Sequence, residues 1–390
     1  MAGNLSSESL FDLDVERREG PMTGHERAFE FYDRVKGSLW DDYRSFVNRC
    51  YRNLPPEDRR PVRGSWRGGQ NDQLQAAWWE LLLHEYLLIS GGAVESHPLS
   101  DDGTRVDFQV QRRDQTFYLE AHRLGPSKES RSERTRRDAA TTALDKARVT
   151  DRWRLHLVEL RVGSMPLHAE CWVAAVEAWL KGDEPDPGEL VLTQDAWLAR
   201  LRPVRYRNAG YPHPRAILIY PMESGTRGIG ESARRALEHK VSRYPGLEPL
   251  VLAIELDVFE TSDDDIMAAL FGGPIWHLGH DDELTHVTRD GQGLFLGPQG
   301  PRNIHVAGVA VGIQTTPGDV ERAQVSYWPN PWASVPVDNP CEAWHLVQPD
   351  EEGLIHRTEA HVDPKGFFGL GESYGTAHPF PKVEAWRASR

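Results

Sequence analysis

One segment of the chain, Gln73 to Leu88 (QLQAAWWELLLHEYLL), constrains the fold more than any other. It is long enough for a helix and apolar on almost every side, whereas a surface helix keeps one polar face. Such a helix lies inside a core and is covered from more than one direction. Glu80 lies within it, on the same face as Leu83 and His84. Its carboxylate therefore points into apolar surroundings unless a cation or a metal meets it.

Composition and charge argue against several classes of protein. The 390 residues include 45 Lys and Arg against 59 Asp and Glu, a net charge of −14. This disfavours a uniformly basic protein that coats nucleic acid, but it allows a local basic cleft. The 3 cysteines have no paired spacing, so neither a disulfide framework nor a cysteine zinc site is expected. With no apolar leader and no long uncharged apolar stretch, we expect a cytoplasmic protein without membrane association.

Alternating helical and strand patterns predict an α/β fold with a mixed sheet. Residues 24–52 show helical spacing of apolar residues, and the Arg, Pro and Gly-rich stretch 59–69 is predicted to be a loop. Short strands at 94–97, 105–110 and 116–122 predict a meander after the buried helix. We therefore expect an N-terminal helical arm with a basic loop (1–69), an α/β core (70–260) and a C-terminal extension packed on the core (261–390).

Three acidic residues of this core can converge on one place. Glu80 lies on the buried helix, Asp107 in RVDFQV and Glu120 in FYLEAH. Strand residues two apart share a face, so His122 lies on the face of Glu120, and an adjacent strand can bring Asp107 alongside. Two or three carboxylates, a backbone carbonyl and waters suit Mg²⁺, or Mn²⁺ in its place. A metal there activates water and neutralises a leaving oxygen, which indicates a nuclease.

The order of these motifs resembles that of the PD-(D/E)XK, or restriction-endonuclease-like, nucleases. That family has a helical Glu, then a strand with Asp, then a strand with Glu-x-Lys; here Glu80, Asp107 and Glu120-Ala121-His122 follow that order. The stretches AAWWELLLHEYL, SHPLSDDGTRVDF, ALEHKVSRY and YWPNPWASVP are similar to uncharacterised bacterial members, across about residues 40 to 340. The resemblance implies a restriction-endonuclease-like mixed sheet flanked by helices, and metal-dependent cleavage of DNA, with a role in bacterial defence.

The sequence departs from the family pattern at the lysine. His122 stands where the family has the Lys that is thought to orient the attacking water and stabilise charge. An imidazole is shorter than a Lys side chain and is only partly protonated near neutral pH. Two other cations are candidates for the role: Lys146, on the next helix, and Lys240. Because Lys240 shares an apolar helical face with Tyr244, it needs a partner such as Glu80.

A basic run directly after the Glu120 strand is a candidate phosphate-binding segment. Its members are Lys128, Arg131, Arg134, Arg136 and Arg137. If they grip phosphates, the affinity for nucleic acid falls steeply as the salt concentration rises. Nucleic acid, with DNA foremost, is the expected partner, and a homodimer or a defence-system partner protein is a further expectation.

Structural roles for these residues stand beside the functional ones. Glu80 can be satisfied by a nearby Arg or can reach solvent. Asp107 and Glu120 can form a cross-strand pair with Arg105 or Arg123. His122 can be a hydrogen-bonded core residue, and the basic run can be a solvated surface. A chain that kept this fold but lost the catalytic cation would be a pseudo-nuclease that binds nucleic acid or protein. A purely structural role is the third alternative. Metal dependence distinguishes the nuclease from the pseudo-nuclease and from the structural protein.

Overall fold

A computed structural model describes residues 9–20, 22, 26–99, 103–124, 128–149, 153–181, 188–205, 216–219, 229–256, 261–278, 284–313, 315–350 and 355–374. The chain forms two compact units. The first consists of Met1–Arg17, Tyr32–Gly125 and Thr226–Arg390, and the second of Arg18–Phe31 and Pro126–Gly225. These units differ from the predicted division. Residues 126–225 were predicted to be part of the core but belong to the second unit, whereas most of the predicted N-terminal arm and the whole C-terminal extension share one unit with the remaining core.

The described helices follow the predicted order, and the buried helix is confirmed with slightly wider bounds. None of them has the length and apolar character needed to cross a membrane. The helices are α1 (Ala28–Arg34), α2 (Ser38–Asn53), α3 (Pro56–Gly68), α4 (Asn71–Ile89), α5 (Lys128–Asp145), α6 (Ala169–Trp179), α7 (Ile229–Val241), α8 (Asp263–Phe271) and α9 (Pro364–Phe368), with a 3-10 turn at Pro317–Arg322.

The predicted loop at 59–69 is wrong, because this stretch forms most of α3. Pro56 starts the helix, where a missing N–H costs nothing, and Glu57 follows it in the first turn, where an acidic group favours the helix dipole. Trp66 is completely buried and its ring lies 6.0 Å from that of Phe11 and 6.2 Å from that of Trp78. This tertiary packing outweighs the poor helix propensity of the Pro and Gly residues.

The strands of the first unit form a large mixed sheet, as predicted. The described strands are β1 (Ala93–Ser96), β2 (Phe108–Arg112), β3 (Gln115–Leu124), β4 (Trp153–Arg161), β5 (Leu190–Gln194), β6 (Trp197–Arg205), β7 (Ile217–Ile219), β8 (Leu250–Leu256), β9 (Pro274–Leu278), β10 (Leu284–Arg289), β11 (Leu296–Gly297), β12 (Gly300–Pro301), β13 (Val306–Ile313), β14 (Gln324–Pro329), β15 (His345–Pro349) and β16 (Ile355–Thr358). Eight of these described strands pair in the order β1-β2-β3-β8-β13-β14-β15-β16. The meander β1-β2-β3 is antiparallel, whereas β8 is parallel to both β3 and β13.

Helices cover both faces of this sheet. Leu252 and Ile254 of β8 belong to the apolar cluster that includes Leu237 of α7. The opposite face meets α4, where the indole of Trp79 donates to the carbonyl of Ala253 over 3.2 Å. Every β8 residue is buried, as expected of a parallel central strand covered on two sides.

The second unit has its own core, and four strands of its described residues form a sheet in the order β5-β6-β4-β7. Its antiparallel hairpin β5-β6 was absent from the sequence prediction. The two strands are joined by Asp195 and Ala196, with Asp195 at a φ of 48°. Gly and Asn usually mark such a turn, so the sequence lacked the common signal.

Close approach of α4 to the sheet leads to a first prediction. A Cβ on Gly312 would lie 2.6 Å from the Trp79 ring, whereas a Cβ on Gly64 within α3 would meet nothing within 4 Å. Gly312→Ala should therefore lower the free energy of unfolding by about 1–3 kcal/mol, and Gly64→Ala should raise it by about 0.5–1 kcal/mol. Urea denaturation measures both. Destabilisation by Gly64→Ala would contradict the helical assignment of α3.

Candidate functional site

The first part of the site lies where β2 begins beside β3. Phe108 pairs with Leu119 in the antiparallel register, so Asp107, one residue before β2, lies next to Glu120. The carboxylate Oδ2 of Asp107 accepts a hydrogen bond from the backbone N–H of Ala121 over 2.7 Å. The structure thus brings these two acidic residues together, although Asp107 precedes the strand in which the sequence predicted it.

A lysine from α7 meets the carboxylate on β3. Lys240 Nζ donates to Glu120 Oε1 over 2.5 Å and to the carbonyl oxygen of Ala121 over 3.3 Å. Glu120 is 3% exposed, so this is a nearly buried ion pair and not a surface contact. The sequence placed Lys240 near Glu80, but its direct partner is Glu120. Parallel pairing of β3 with β8 sets this contact, because α7 runs directly before β8.

Glu80 is a third carboxylate within electrostatic range of Glu120 and Lys240. Burial and the charge of Glu120, opposed by the charge of Lys240, raise the pKa of Glu80 to about 7. Burial and the charges of Glu120 and Glu80 raise the pKa of Asp107 to about 8. Near neutral pH the cluster is therefore short of positive charge. Either protons or an added cation can relieve that shortage.

His122 lies two residues beyond Glu120 on β3 and shares its face. Burial and the charge of Lys240, opposed by the charge of Glu120, lower the pKa of His122 to about 4. The imidazole is therefore neutral at neutral pH and supplies no positive charge in place of the family lysine. The cation that the structure places at Glu120 is Lys240.

Sequence reasoning did not assign a role at the site to Tyr244. Its hydroxyl donates to the carbonyl of Arg105 over 3.1 Å, and burial and the nearby Glu120 raise its pKa. The available signal was its position four residues after Lys240 in the apolar helical pattern of the sequence, although α7 ends at Val241, before Tyr244. Tyr244 closes the site on the side of the residues that lead into β2.

The expected alternative of an arginine partner is wrong for Glu120. Arg123 pairs with Glu255 of β8 over 3.1 Å and with Asp72 over 3.6 Å. Arg123 and Glu255 are register partners on neighbouring strands. Arg123 lies three positions after Glu120 on the same strand, so the two side chains point to opposite faces of the sheet.

The donor groups suit a hard cation, with one competitor. In the parts of the chain that the structure describes, no group of three or more His, Cys, Asp or Glu side chains is arranged to hold a metal. Two carboxylates and a carbonyl are nevertheless close together, those of Asp107, Glu120 and Ala121. Glu120 Oε2 is buried and accepts no hydrogen bond from the described residues. Since Lys240 already contacts Glu120 and Ala121, a metal would compete with its ammonium group.

The remaining predicted residues lie in the second unit. Lys146 is exposed just after α5. All five members of the basic run lie within α5, but the side chains of Lys128, Arg131 and Arg134 fall outside the described residues. Arg136 is partly buried, and Arg137 pairs with Glu133 over 3.2 Å. A phosphate-binding role for this run, and a catalytic role for Lys146, stay predictions.

Comparisons of the chain with models of known families, with curated proteins and with solved structures found no match. The chemistry of the site therefore has to be argued from its own geometry.

The raised pKa of Glu80 predicts a pH-dependent stability. A carboxyl whose pKa is higher in the folded than in the unfolded chain loses its stabilising contribution as the pH rises, here between about 4.5 and 7. Glu80→Gln cannot ionise, so without metal its melting temperature should exceed that of the wild type by roughly 2–5 °C at pH 8. At pH 5 the two proteins should melt together.

Calorimetry across this pH range provides the measurement, and Glu95→Gln is the matched control. Glu95 lies on β1 and is exposed, so its replacement should leave the pH profile unchanged. A Glu80→Gln protein that is less stable than wild type at pH 8 would show that the ionised carboxylate is well compensated, contrary to this description.

Proposed function

We propose that the chain is a metal-dependent nuclease of restriction-endonuclease-like fold that hydrolyses phosphodiester bonds of DNA, with Mg²⁺ or Mn²⁺ as its cofactor. The observation that carries the proposal is the meeting of Glu80, Asp107 and Glu120 around Lys240 in a mostly buried site. Carboxylates with a purely structural role are seldom buried without an equal number of cations beside them. Active sites, in contrast, commonly contain buried carboxylates that outnumber their cations.

The arrangement of elements supports the proposed fold family. A buried helix with Glu80 precedes an antiparallel meander with Asp107 and Glu120, and the last meander strand lies parallel to the next strand of the sheet. This order agrees with the resemblance in motif order. A role in bacterial defence is part of the proposal through that resemblance alone.

Each acidic residue has a defined part in the proposed site. Asp107, Glu120 and the carbonyl of Ala121 would hold the divalent cation, and Glu80 would be a third ligand or would hold a water molecule. When bound, the cation would supply an acidified water and charge neutralisation at the phosphate. The buried position of these groups increases every electrostatic effect between them and a substrate phosphate.

Lys240 takes the part of the family lysine from a different element. Its ammonium group reaches the β3 carboxylate from α7, whereas the family residue lies two positions after the Glu on the strand itself. A fixed positive charge at this place stabilises negative charge that develops on a phosphate. The neutral His122 beside it is suited to accept a hydrogen bond or a proton.

A pseudo-nuclease that binds nucleic acid or a protein is the second candidate. The contacts of Lys240 with Glu120 Oε1 and with the Ala121 carbonyl favour it, because these oxygens are two of those that a metal would need. In that case the ammonium group takes the position of the cation and the chain retains only its binding surfaces. Metal binding and cleavage distinguish the two candidates.

Plasmid nicking with Mg²⁺ or Mn²⁺ tests the nuclease directly. We expect Asp107→Ala and Glu120→Ala to lose more than about 100-fold in rate, since removal of a ligand costs at least as much as removal of its supporting residues. Lys240→Met should lose a similar amount. His122→Ala should lose less than the roughly 100-fold typical of a general acid or base. Nicking that persists in Asp107→Ala would refute the site assignment.

An inactive wild type would favour the pseudo-nuclease, and two variants then become informative. His122→Lys restores the family pattern on the strand, and slow metal-dependent nicking by this variant would show that only the cation had been lost. Exposed Arg113→Gln, at the tip of the β2-β3 turn, is the control that should not change either result.

Metal binding itself has a signature that does not require activity. Asp107 and Glu80 hold protons near neutral pH because their pKa values are raised, so a divalent cation should displace protons as it binds. Titration calorimetry with Mn²⁺ in two buffers of different ionisation enthalpy measures this release. We expect about one proton or more at pH 7, and less in Glu80→Gln. Binding without proton release would contradict the proposed ligand set.

A further inference from the structure

Helix α3 carries four arginines on one side. They are Arg59, Arg60, Arg63 and Arg67. With 3.6 residues per turn, these four positions fall within an arc of about 100°. In a chain with a net charge of −14, such a concentration of positive charge would usually be matched by nearby acidic side chains.

Three of the four guanidinium groups on α3 lie within electrostatic range of Tyr51. Burial raises the pKa of Tyr51, and the charges of Arg63, Arg59 and Arg67 all act in the opposite direction. Three positive groups therefore lie within electrostatic range of one phenol. The Tyr51 hydroxyl donates to the backbone carbonyl of Arg59 over 2.8 Å, which fixes the phenol against this side of the helix.

Backbone carbonyls hold two of these guanidinium groups in place. Arg59 donates to the carbonyls of Leu54 and Arg52 over 3.0 and 2.8 Å. Arg67 Nε donates to the carbonyl of Leu10 over 3.1 Å. A carbonyl is a neutral acceptor, so these bonds orient the two groups and leave the charge of Arg59 in place. Asp33 and Asp12 lie within electrostatic range of Arg67 and partly offset its charge.

Two members of the cluster are open to a ligand. Neither Arg60 nor Arg63 forms an ion pair with any described carboxylate, and Arg60 is exposed. Guanidinium groups bind phosphate oxygens in a bidentate manner, and prior orientation lowers the entropy lost on binding. The group thus has the features of a surface for a polyanion.

This helix runs beside the turns of α4 that contain Glu80. Trp66 of α3 lies against Trp78, two residues before Glu80, with ring centroids 6.2 Å apart. Asp58 of α3 lies close enough to His84, four residues after Glu80, for its charge to oppose the lowering of the His84 pKa by burial. The arginine face and the carboxylate cluster therefore belong to neighbouring elements of the same compact unit.

We propose that the arginine face of α3, defined by Arg59, Arg60, Arg63 and Arg67, binds the phosphate backbone of the DNA on which the chain acts. The inference rests on the proposed nuclease function and names the surface that holds its substrate. The basic run of α5 lies in the other unit and is the competing assignment. Backbone contacts of this kind position a duplex and do not read its sequence.

Salt-dependent DNA binding tests this surface. Fluorescence anisotropy with a labelled linear duplex, in EDTA to prevent cleavage, gives Kd between about 50 and 200 mM salt. The variant Arg60→Gln/Arg63→Gln removes two charges and keeps the arginines that bond to backbone carbonyls. Its Kd should rise about tenfold or more, and the slope of log Kd against log salt should fall by about 2, near 0.9 per lost contact.

The matched control is Arg235→Gln/Arg322→Gln, which removes the same charge from exposed arginines of the same unit. Each of these has an acidic partner, Glu231 and Glu321 respectively, so the control slope should stay within experimental error of the wild type. Unchanged melting temperatures show that both variants remain folded. An equal loss in the control would assign the effect to net charge and overturn the inference.

Cleavage and binding can fail independently. A wild type that nicks DNA while Arg60→Gln/Arg63→Gln keeps the full salt slope overturns the α3 surface and leaves the nuclease intact. A wild type that never nicks, but whose salt slope falls in this variant, supports the surface and overturns the nuclease. A wild type that does not bind the duplex at about 50 mM salt overturns the surface, and Mn²⁺ titration then still decides the metal site.

Discussion

Every residue of α4 from Leu81 to Leu87 is buried, and the first unit is organised around this helix. Its indole groups reach in different directions, with Trp78 donating to the carbonyl of Thr315 and Trp79 to that of Ala253. Helix α3 covers one side and the sheet another. A helix with no polar face gains its stability only when it is surrounded in this way. Every polar group that it carries must then find a partner inside the protein.

Glu80 lies one residue before the fully buried turns and is itself partly buried. Its position near Asp107 and Glu120 gives the site its character. Three carboxylates compete for one ammonium group, and two of them have pKa values raised to about 7 and 8. Loss of Lys240 would leave Glu120 charged and unpaired in a nearly dry environment, which typically costs about 3–5 kcal/mol. Three carboxylates near one ammonium group are more typical of a functional site than of a structural ion pair.

Predictions from the sequence agreed best with the structure where a local pattern of residues decided the element. They agreed least where contacts with distant residues decided it. The buried helix was predicted closely, because a continuous apolar stretch is stable only where it is buried. Helix α3 was mistaken for a loop, since its Pro and Gly residues disfavour helix locally while the burial of Trp66 favours it from a distance. Asp107 was placed inside a strand but lies one residue before it, within the usual uncertainty of strand ends.

Sequence alone determined that the chain has an α/β fold, that one helix is buried with a glutamate inside it, and that acidic residues recur on the strands that follow. These are properties of neighbouring residues, and helical or strand periodicity records them directly. Only the tertiary structure decided which cation serves the site. Lys240 and Glu120 are 120 positions apart, and they meet because β3 and β8 are adjacent and parallel. The order of strands in a sheet depends on contacts between residues far apart in the sequence, so the local spacing of residues does not predict it.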